Sequence, residues 1–258
     1  MKITILGSGT SVGVPQIGCT CKVCTSSDPR DKRLRCSGLV ETNGVRVLID
    51  CGPDFREQML RLNDFRPIDG VLVTHEHYDH VGGLDDLRPF CSFREIPVCA
   101  EDYVADRLQS RMPYCFVKHP YPGIPHIPLT RLRAGESFAL SNGEGRRVEI
   151  MPFRVLHGQL PILGYRIGQM AWITDMLTLP EESYSYLQGL DCLIMNALRF
   201  EKHWTHQSLS EALEKAKRIG ARETYFIHMS HDIGLHAETS ALLPEHIHLA
   251  YDGMEIML

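Results

Sequence analysis

The segment Thr74-His-Glu-His-Tyr-Asp-His80 restricts the choice of fold for this chain more than any other feature. It follows the apolar run Gly70-Val-Leu-Val, a strand pattern, and precedes Val81-Gly82-Gly83-Leu84, which turns away into a helix start. Side chains two apart at a strand end point the same way, so His75 and His77 can share one cation. Asp79 and His80 fall on the turn and can face a second cation beside the first. Neutral imidazole and carboxylate suit zinc, manganese or iron. A polar surface turn that merely contains histidines has no reason to gather such ligands at one strand exit. The chain therefore reads as a sheet-based metalloenzyme.

A sheet must be covered, and 258 residues with 43% apolar and 23% charged side chains suffice for one layered α/β domain spanning 1–258. No internal repeat is visible. The net charge of −5 argues against a general nucleic-acid binder, which carries a basic face. No stretch reaches the roughly 18–20 apolar residues needed to cross a bilayer. The segment Met1-Lys-Ile-Thr-Ile-Leu-Gly-Ser-Gly9 reads as a strand and glycine turn rather than a signal peptide, so a cytoplasmic location is expected. Among nine cysteines, Cys36, Cys51, Cys91, Cys99, Cys115 and Cys192 are scattered and read as small buried thiols. Cys19, Cys21 and Cys24 cluster instead.

Other unusual residues also fall at strand exits. Residues 2–6 read as a strand closed by Gly7-Ser8-Gly9. Residues 38–41 and 45–49 make a hairpin through Asn43-Gly44, whose second strand ends at Asp50-Cys51-Gly52. A helix over 55–62 places Phe55, Met59 and Leu62 on one face. The strand at 148–155 leads to His157-Gly158. Residues 163–167 and 170–173 form a hairpin around Gly168 that ends at Thr174-Asp175. Strands at 192–195 and 224–227 end at Asn196-Ala197 and His228. Between them lies an amphipathic helix over 208–219, with Ser208 and Glu211 forming a capping box. Residues 248–251 and 254–258 close the chain as strands around Asp252-Gly253. One histidine behind a strand is unremarkable. His75, His157, Asp175 and His228 all behind strands form a pattern, because sheet enzymes gather sites where strand ends converge.

The order His75-x-His77-x-Asp79-His80, then His157, Asp175 and His228 each after a strand, resembles the metallo-β-lactamase superfamily over most of the chain. That resemblance implies an α/β fold, a four-layer αβ/βα sandwich, with two divalent ions (Zn or Mn) at one edge of the paired sheets. It implies His75, His77 and His157 on the first ion, Asp79, His80 and His228 on the second, and Asp175 bridging both. Aspartate at the bridging position matches the phosphodiesterase and glyoxalase branches, whereas the β-lactamases usually place cysteine there. Asp50 matches an acidic residue that supports the histidine loop through hydrogen bonds; a turn-forming aspartate before Gly52 is the competing reading. More closely, Gly18-Cys19-x-Cys21-x-x-Cys24, Arg35-Cys36-Ser37-Gly38, His228-x-x-His231-Asp232 and the ending Tyr251-Asp-Gly-Met-Glu-Ile256 resemble the phosphodiesterase that accompanies bacterial carbon–phosphorus lyase. This implies one structural zinc, on Cys19, Cys21, Cys24 and His231, in a small insertion around 15–36. Three thiols within six residues supply three soft ligands of a tetrahedral site, while a disulfide among them is the competing reading. Met176-Leu177 after Asp175, and the segment after Asn196, depart from the family pattern.

For activity, the resemblance implies hydrolysis of small cyclic or diester phosphates by a hydroxide held between the metals, with Asp79 and Asp175 in catalytic positions. His206, within Trp204-Thr-His-Gln-Ser208, is placed to give the leaving alkoxide its proton, and His203 competes for that role. Residues 111–128, with Tyr114, Phe116, Lys118 and Tyr121, read as a lid or pocket wall, and equally as a subunit contact or rigid loop. The residues by themselves give metal-assisted hydrolysis. Three other readings compete: a tRNA 3′-end nuclease, for which no lysine- and arginine-rich arm is visible, a thioester or lactone hydrolase, and a zinc-stabilised binding module without activity. The expected partner is a small phosphodiester substrate. Nucleic acid and membrane are not expected, and a homodimer is left open.

Overall fold

The computed structural model describes residues 1–116 and 123–258. Its first half supplies β1 (Lys2–Gly7), β2 (Ser37–Thr42), β3 (Val45–Ile49), β4 (Gly70–Leu72), β5 (Val98–Glu101) and β6 (Leu129–Leu132). Its second half supplies β7 (Phe138–Ser141), β8 (Arg147–His157), β9 (Leu160–Ile167), β10 (Met170–Ile173), β11 (Cys192–Asn196), β12 (Glu223–Ile227) and β13 (Ile247–Leu249). A last strand, β14 (Glu255–Met257), returns to the first sheet beside β1. The two sheets run β14-β1-β2-β3-β4-β5-β6 and β13-β12-β11-β10-β9-β8-β7. Each opens as an antiparallel meander, through β3 in one and β10 in the other, and continues with parallel strands.

Alternation along the strands builds four layers. Ile3, Ile5, Val47, Ile49 and Leu72 of the first sheet meet Leu163, Tyr165, Met170, Trp172 and Ile194 of the second in a core between the sheets. Their neighbours point outward. Leu39, Leu48 and Val71 pack under α1 (Phe55–Leu62) and α3 (Asp102–Arg111). Ala171, Ile173, Leu193 and Met195 pack under α4 (Leu209–Ile219) through Leu209, Ala212, Ala216 and Ile219. A sheet buried on both faces reads as nearly continuous apolar runs, which is why these strands lack a polar side. The αβ/βα sandwich expected from the sequence is the architecture observed.

Local chemistry sets the turns. Asn43 and Gly44, at φ 50° and 73°, close the β2–β3 hairpin. Ser208 caps α4 by accepting from the Glu211 N–H, Glu211 reaches back to the Ser208 N–H, and Gly220 ends the helix at φ 71°. The expected closing pair of strands around Asp252-Gly253 is divided: β13 joins β12 in one sheet and β14 joins β1 in the other. An Asp-Gly pair signals a tight turn but cannot say to which sheet the chain returns. Here Asp252 is a tether, its carboxylate accepting from Ser8 N–H, Ser8 Oγ and Leu34 N–H at 2.7–2.8 Å.

Candidate metal centre

The site lies past the strand exits. After β4 the chain runs through Thr74 and His75 to the single-turn helix α2 (Tyr78–Val81), which carries Asp79 and His80. Two glycines let the exit of β3 come this close: a Cβ on Gly52 would sit 2.0 Å from the Asp79 carbonyl, and one on Gly83 would sit 2.1 Å from the Gly52 carbonyl. The last residue of β8 supplies His157, the exit of β10 supplies Asp175 and the exit of β12 supplies His228.

Ligand atoms of His75, His77, His157 and Asp175 lie within 4.8 Å of one another, and so do those of Asp79, His80, Asp175 and His228. Asp175 belongs to both groups and faces them with different oxygens. Its Oδ2 is 3.7 Å from His75 Nε2, while its Oδ1 is 3.3 Å from His80 Nε2 and 3.1 Å from His228 Nε2. All these residues are buried except His77. His80 Nε2 is 3.1 Å from Asp79 Oδ2, yet neither it nor either ring nitrogen of His228 has a hydrogen-bond partner. Buried orphan nitrogens beside carboxylate oxygens, aimed wrongly for hydrogen bonds, fit a divalent cation at their centre.

Surrounding contacts fix the rings. Asp50, wholly buried, accepts from Thr74 N–H at 2.8 Å, from Thr74 Oγ1 and from His80 Nδ1 at 2.7 Å. Nδ1 of His75 lies 3.0 Å from Thr74 Oγ1, and Nδ1 of His157 donates to the Thr205 carbonyl at 2.9 Å. With Nδ1 engaged, Nε2 of His75, His80 and His157 is left as the lone-pair nitrogen, the tautomer a metal requires. Asp50, Asp175 and His228 hold φ of 57°, 54° and 55°, the left-handed region that non-glycine residues seldom adopt.

Electrostatics favour a cation. Burial pushes Asp175 toward the neutral form, but His228 and His80 overcome it and hold the carboxyl well below its ordinary range. Asp79 follows the same logic, with burial outweighed first by His80. Burial acts against a charged His80, and Asp79, Asp175 and Asp50 reverse that and raise it. His75 and His77 are lowered, chiefly by burial.

His206 is buried over this centre, its Nε2 3.2 Å from Asp175 Oδ2 and its ring stacked on His228 at 5.0 Å. His203 stands farther out, with Nδ1 3.2 Å from His206 Nδ1. The geometry thus favours His206 over His203 as the group facing the carboxylates. The supporting contacts of Thr74 and Thr205 escaped the sequence reading, since a threonine carries no signal of its own. Of the segment 111–128, Tyr114 donates to Asp85 Oδ1 at 3.0 Å, while Lys118 and Tyr121 lie outside the described residues.

Cys19, Cys21, Cys24 and His231 form a separate group with ligand atoms within 4.8 Å of one another, Cys24 Sγ being 3.6 Å from His231 Nδ1. All nine cysteines are free thiols in this structure, Cys19, Cys21 and Cys24 among them. Backbone N–H groups of Gln16 and Cys24 point at the sulfurs of Cys24 and Cys21, each at 3.4 Å. Such bonds stabilise thiolate and suit a tetrahedral zinc.

Residues 45–229 match the family described as the beta-lactamase superfamily domain. Together with the site and the paired sheets, this shows that the chain belongs to the metallo-β-lactamase superfamily. Within the superfamily it stands close to the PhnP family: the crystal structure of a diphosphatase from that family is 40% identical, with a TM-score of 0.88 over 99% of this chain and 96% of that one. A curated relative from Porphyromonas gingivalis (strain ATCC BAA-308 / W83), named octanoyltransferase, is 46% identical over 100% of this chain and 52% of its own length. The chain thus spans about half of that protein. Zinc-bound PqqB from Methylobacterium extorquens shares the fold, with 20% identity and a TM-score of 0.81 over 100% of both chains. Among the described residues no helix is long and apolar enough to cross a membrane.

Proposed function

We propose that the chain is a dinuclear metal-dependent phosphodiesterase acting on small cyclic or diester phosphates, with a third, structural zinc on Cys19, Cys21, Cys24 and His231. One observation carries the reading: the two oxygens of Asp175 face two separate histidine groups, 3.7 Å from His75 and 3.1 Å from His228. Divalent ions bound there supply Lewis acidity toward a phosphoryl oxygen and make water a usable nucleophile near neutral pH. The chain's own residues do the rest. Asp79 and Asp175 carry the negative charge that retains the cations, and Asp50 keeps His80 aimed through Nδ1. His206 holds a proton at Nε2, within reach of a leaving oxygen near Asp175. Burial lowers its pKa, and the Asp175 carboxylate opposes that shift. The metals are zinc or manganese, two of the ions that suit a mixed imidazole and carboxylate set.

The 40% identical diphosphatase supports phosphoryl chemistry and favours a second reading, hydrolysis of a phosphoric anhydride. Turnover of bis-p-nitrophenyl phosphate, a nucleoside 2′,3′-cyclic phosphate, a nucleoside diphosphate, an octanoyl thioester and a precursor tRNA, alongside metal counting, separates the candidates. Diester hydrolysis with about three metals per chain is the expected result. Turnover of the thioester or the tRNA alone, or one metal with no turnover, overturns it.

A further inference from the structure

Asn196 is the last residue of β11, wholly buried, and belongs to neither candidate ligand group. Its side chain forms a double hydrogen bond with one backbone unit across the parallel β10–β11 pair. The Met176 N–H donates to Asn196 Oδ1 at 2.8 Å, and Asn196 Nδ2 donates to the Met176 carbonyl at 3.0 Å. Met176 is the residue after Asp175, whose backbone sits at φ 54°. A side-chain amide matching the backbone N–H and C=O of one residue continues the sheet by one rung where the chain has left it. It also clamps the turn that presents Asp175.

The same residue reaches the other half of the centre. Gln207, next to His206 and wholly buried, donates from Nε2 to the Asn196 carbonyl at 2.5 Å, and its N–H donates to the Met176 carbonyl at 3.1 Å. The Gln207 carbonyl in turn accepts from Leu198 N–H at 3.1 Å. The Asp175 turn and the His206 loop are therefore both tied to the end of β11, and His206 Nε2 lies 3.2 Å from Asp175 Oδ2.

We propose that Asn196 is a positioning residue that holds Asp175 in its bridging orientation and sets the His206 imidazole against it. The kinetic part rests on the phosphodiesterase reading; the metal-binding part does not. Replacing Asn196 by aspartate keeps the shape and the acceptor for Met176 N–H. It removes the donor and sets a carboxylate against the Met176 carbonyl. Alanine removes both bonds.

The test compares wild type, Asn196→Asp and Asn196→Ala in three measurements: manganese affinity by competition with a chromogenic chelator, kcat and KM on bis-p-nitrophenyl phosphate, and thermal unfolding of metal-free protein. Both variants are expected to melt below wild type, since each leaves buried groups unpaired, yet at temperatures where they stay folded to bind manganese roughly 10-fold or more weakly and to lose about 10–100-fold in kcat with little change in KM, as losing a ligand's supporting contact does elsewhere. Excess manganese should restore part of the kcat. If Asn196→Ala does not fold, the aspartate variant decides alone. Manganese affinity and kcat within about twofold of wild type overturn the assignment, and so does a loss that only tracks unfolding. Wild type that binds manganese without hydrolysing the diester overturns the phosphodiesterase reading instead and leaves the affinity comparison to judge Asn196.

Discussion

At the scale of single residues, Asp175 concentrates the demands on the site, since both ligand groups use it from a left-handed backbone. Asparagine tolerates that backbone, so Asp175→Asn should fold, lose metal from both groups rather than one, and drop to background turnover. Metal content by mass spectrometry and circular dichroism of the same sample check this; loss of a single equivalent would contradict a shared ligand. His236 offers a separate test, of stability. It is held down to about 4, first by burial and then by Arg33, whose Nη2 lies 3.3 Å from its Nδ1; Arg30, Asp28 and Asp31 also face it, and the Tyr251 ring meets it edge-on. The unfolded chain, with an ordinary histidine near 6.5, takes up the proton first. Folded stability should therefore fall as pH drops from about 6.5 toward 4, and this share of the loss should vanish in His236→Gln. Urea midpoints at pH 7 and pH 5 compare the two; equal losses would clear His236 as a cause. These positions differ in how far sequence exposed them. His75 to His80 stand out by density, whereas His236 looks like any other histidine until Arg33 is seen beside it.

At the scale of elements, α4 was the most legible part of the chain, because everything that defines it is local. Ser208, Glu211, the apolar spacing and Gly220 are read within one stretch. Ser208→Ala removes the capping bond and should lower stability by about 1 kcal/mol in urea unfolding, with metal content unchanged. Elements without local punctuation were missed. The strand β5 has four residues, of which Val98, Cys99 and Ala100 are buried on alternate faces, so it shows no alternation of apolar and polar. Helix α3 starts directly from it at Asp102 with no side-chain cap. The cysteine knuckle is an element of another kind, with only a small apolar cluster of Val14, Val23 and Cys24 at its centre, and the proposed zinc would supply much of its order. Cys21→Ser should therefore hold one zinc fewer than wild type and melt at a lower temperature, with the other metals retained. Unchanged metal content in that variant would count against the zinc.

At the scale of the whole molecule, the sandwich depends on close approach between the sheets. A Cβ on Gly38 of β2 would lie 2.5 Å from the Trp172 ring of β10, so Gly38→Ala should destabilise by roughly 1–3 kcal/mol through overpacking. Calorimetry with metal counting tests it: a lower Tm and unchanged metal content are expected. This level was legible only through resemblance. The motif order implied the four layers, but nothing local showed that each sheet repeats one plan, a meander and then parallel strands. Strand order is a property of pairing partners far apart in sequence, and apolar runs of similar composition can pair in many ways. The strand exits, by contrast, were visible because the site needs unusual residues there.

Three ligand-bearing or ligand-supporting positions, Asp50, Asp175 and His228, occupy conformations in which glycine would be at ease. Each such residue sits roughly 1–3 kcal/mol above its relaxed geometry. A directed-evolution campaign that rewards heat resistance of cation-stripped protein would drift toward glycine at those places first, and its winners would be hardy and inert. Selection for durability in this protein has to be run with divalent ions present.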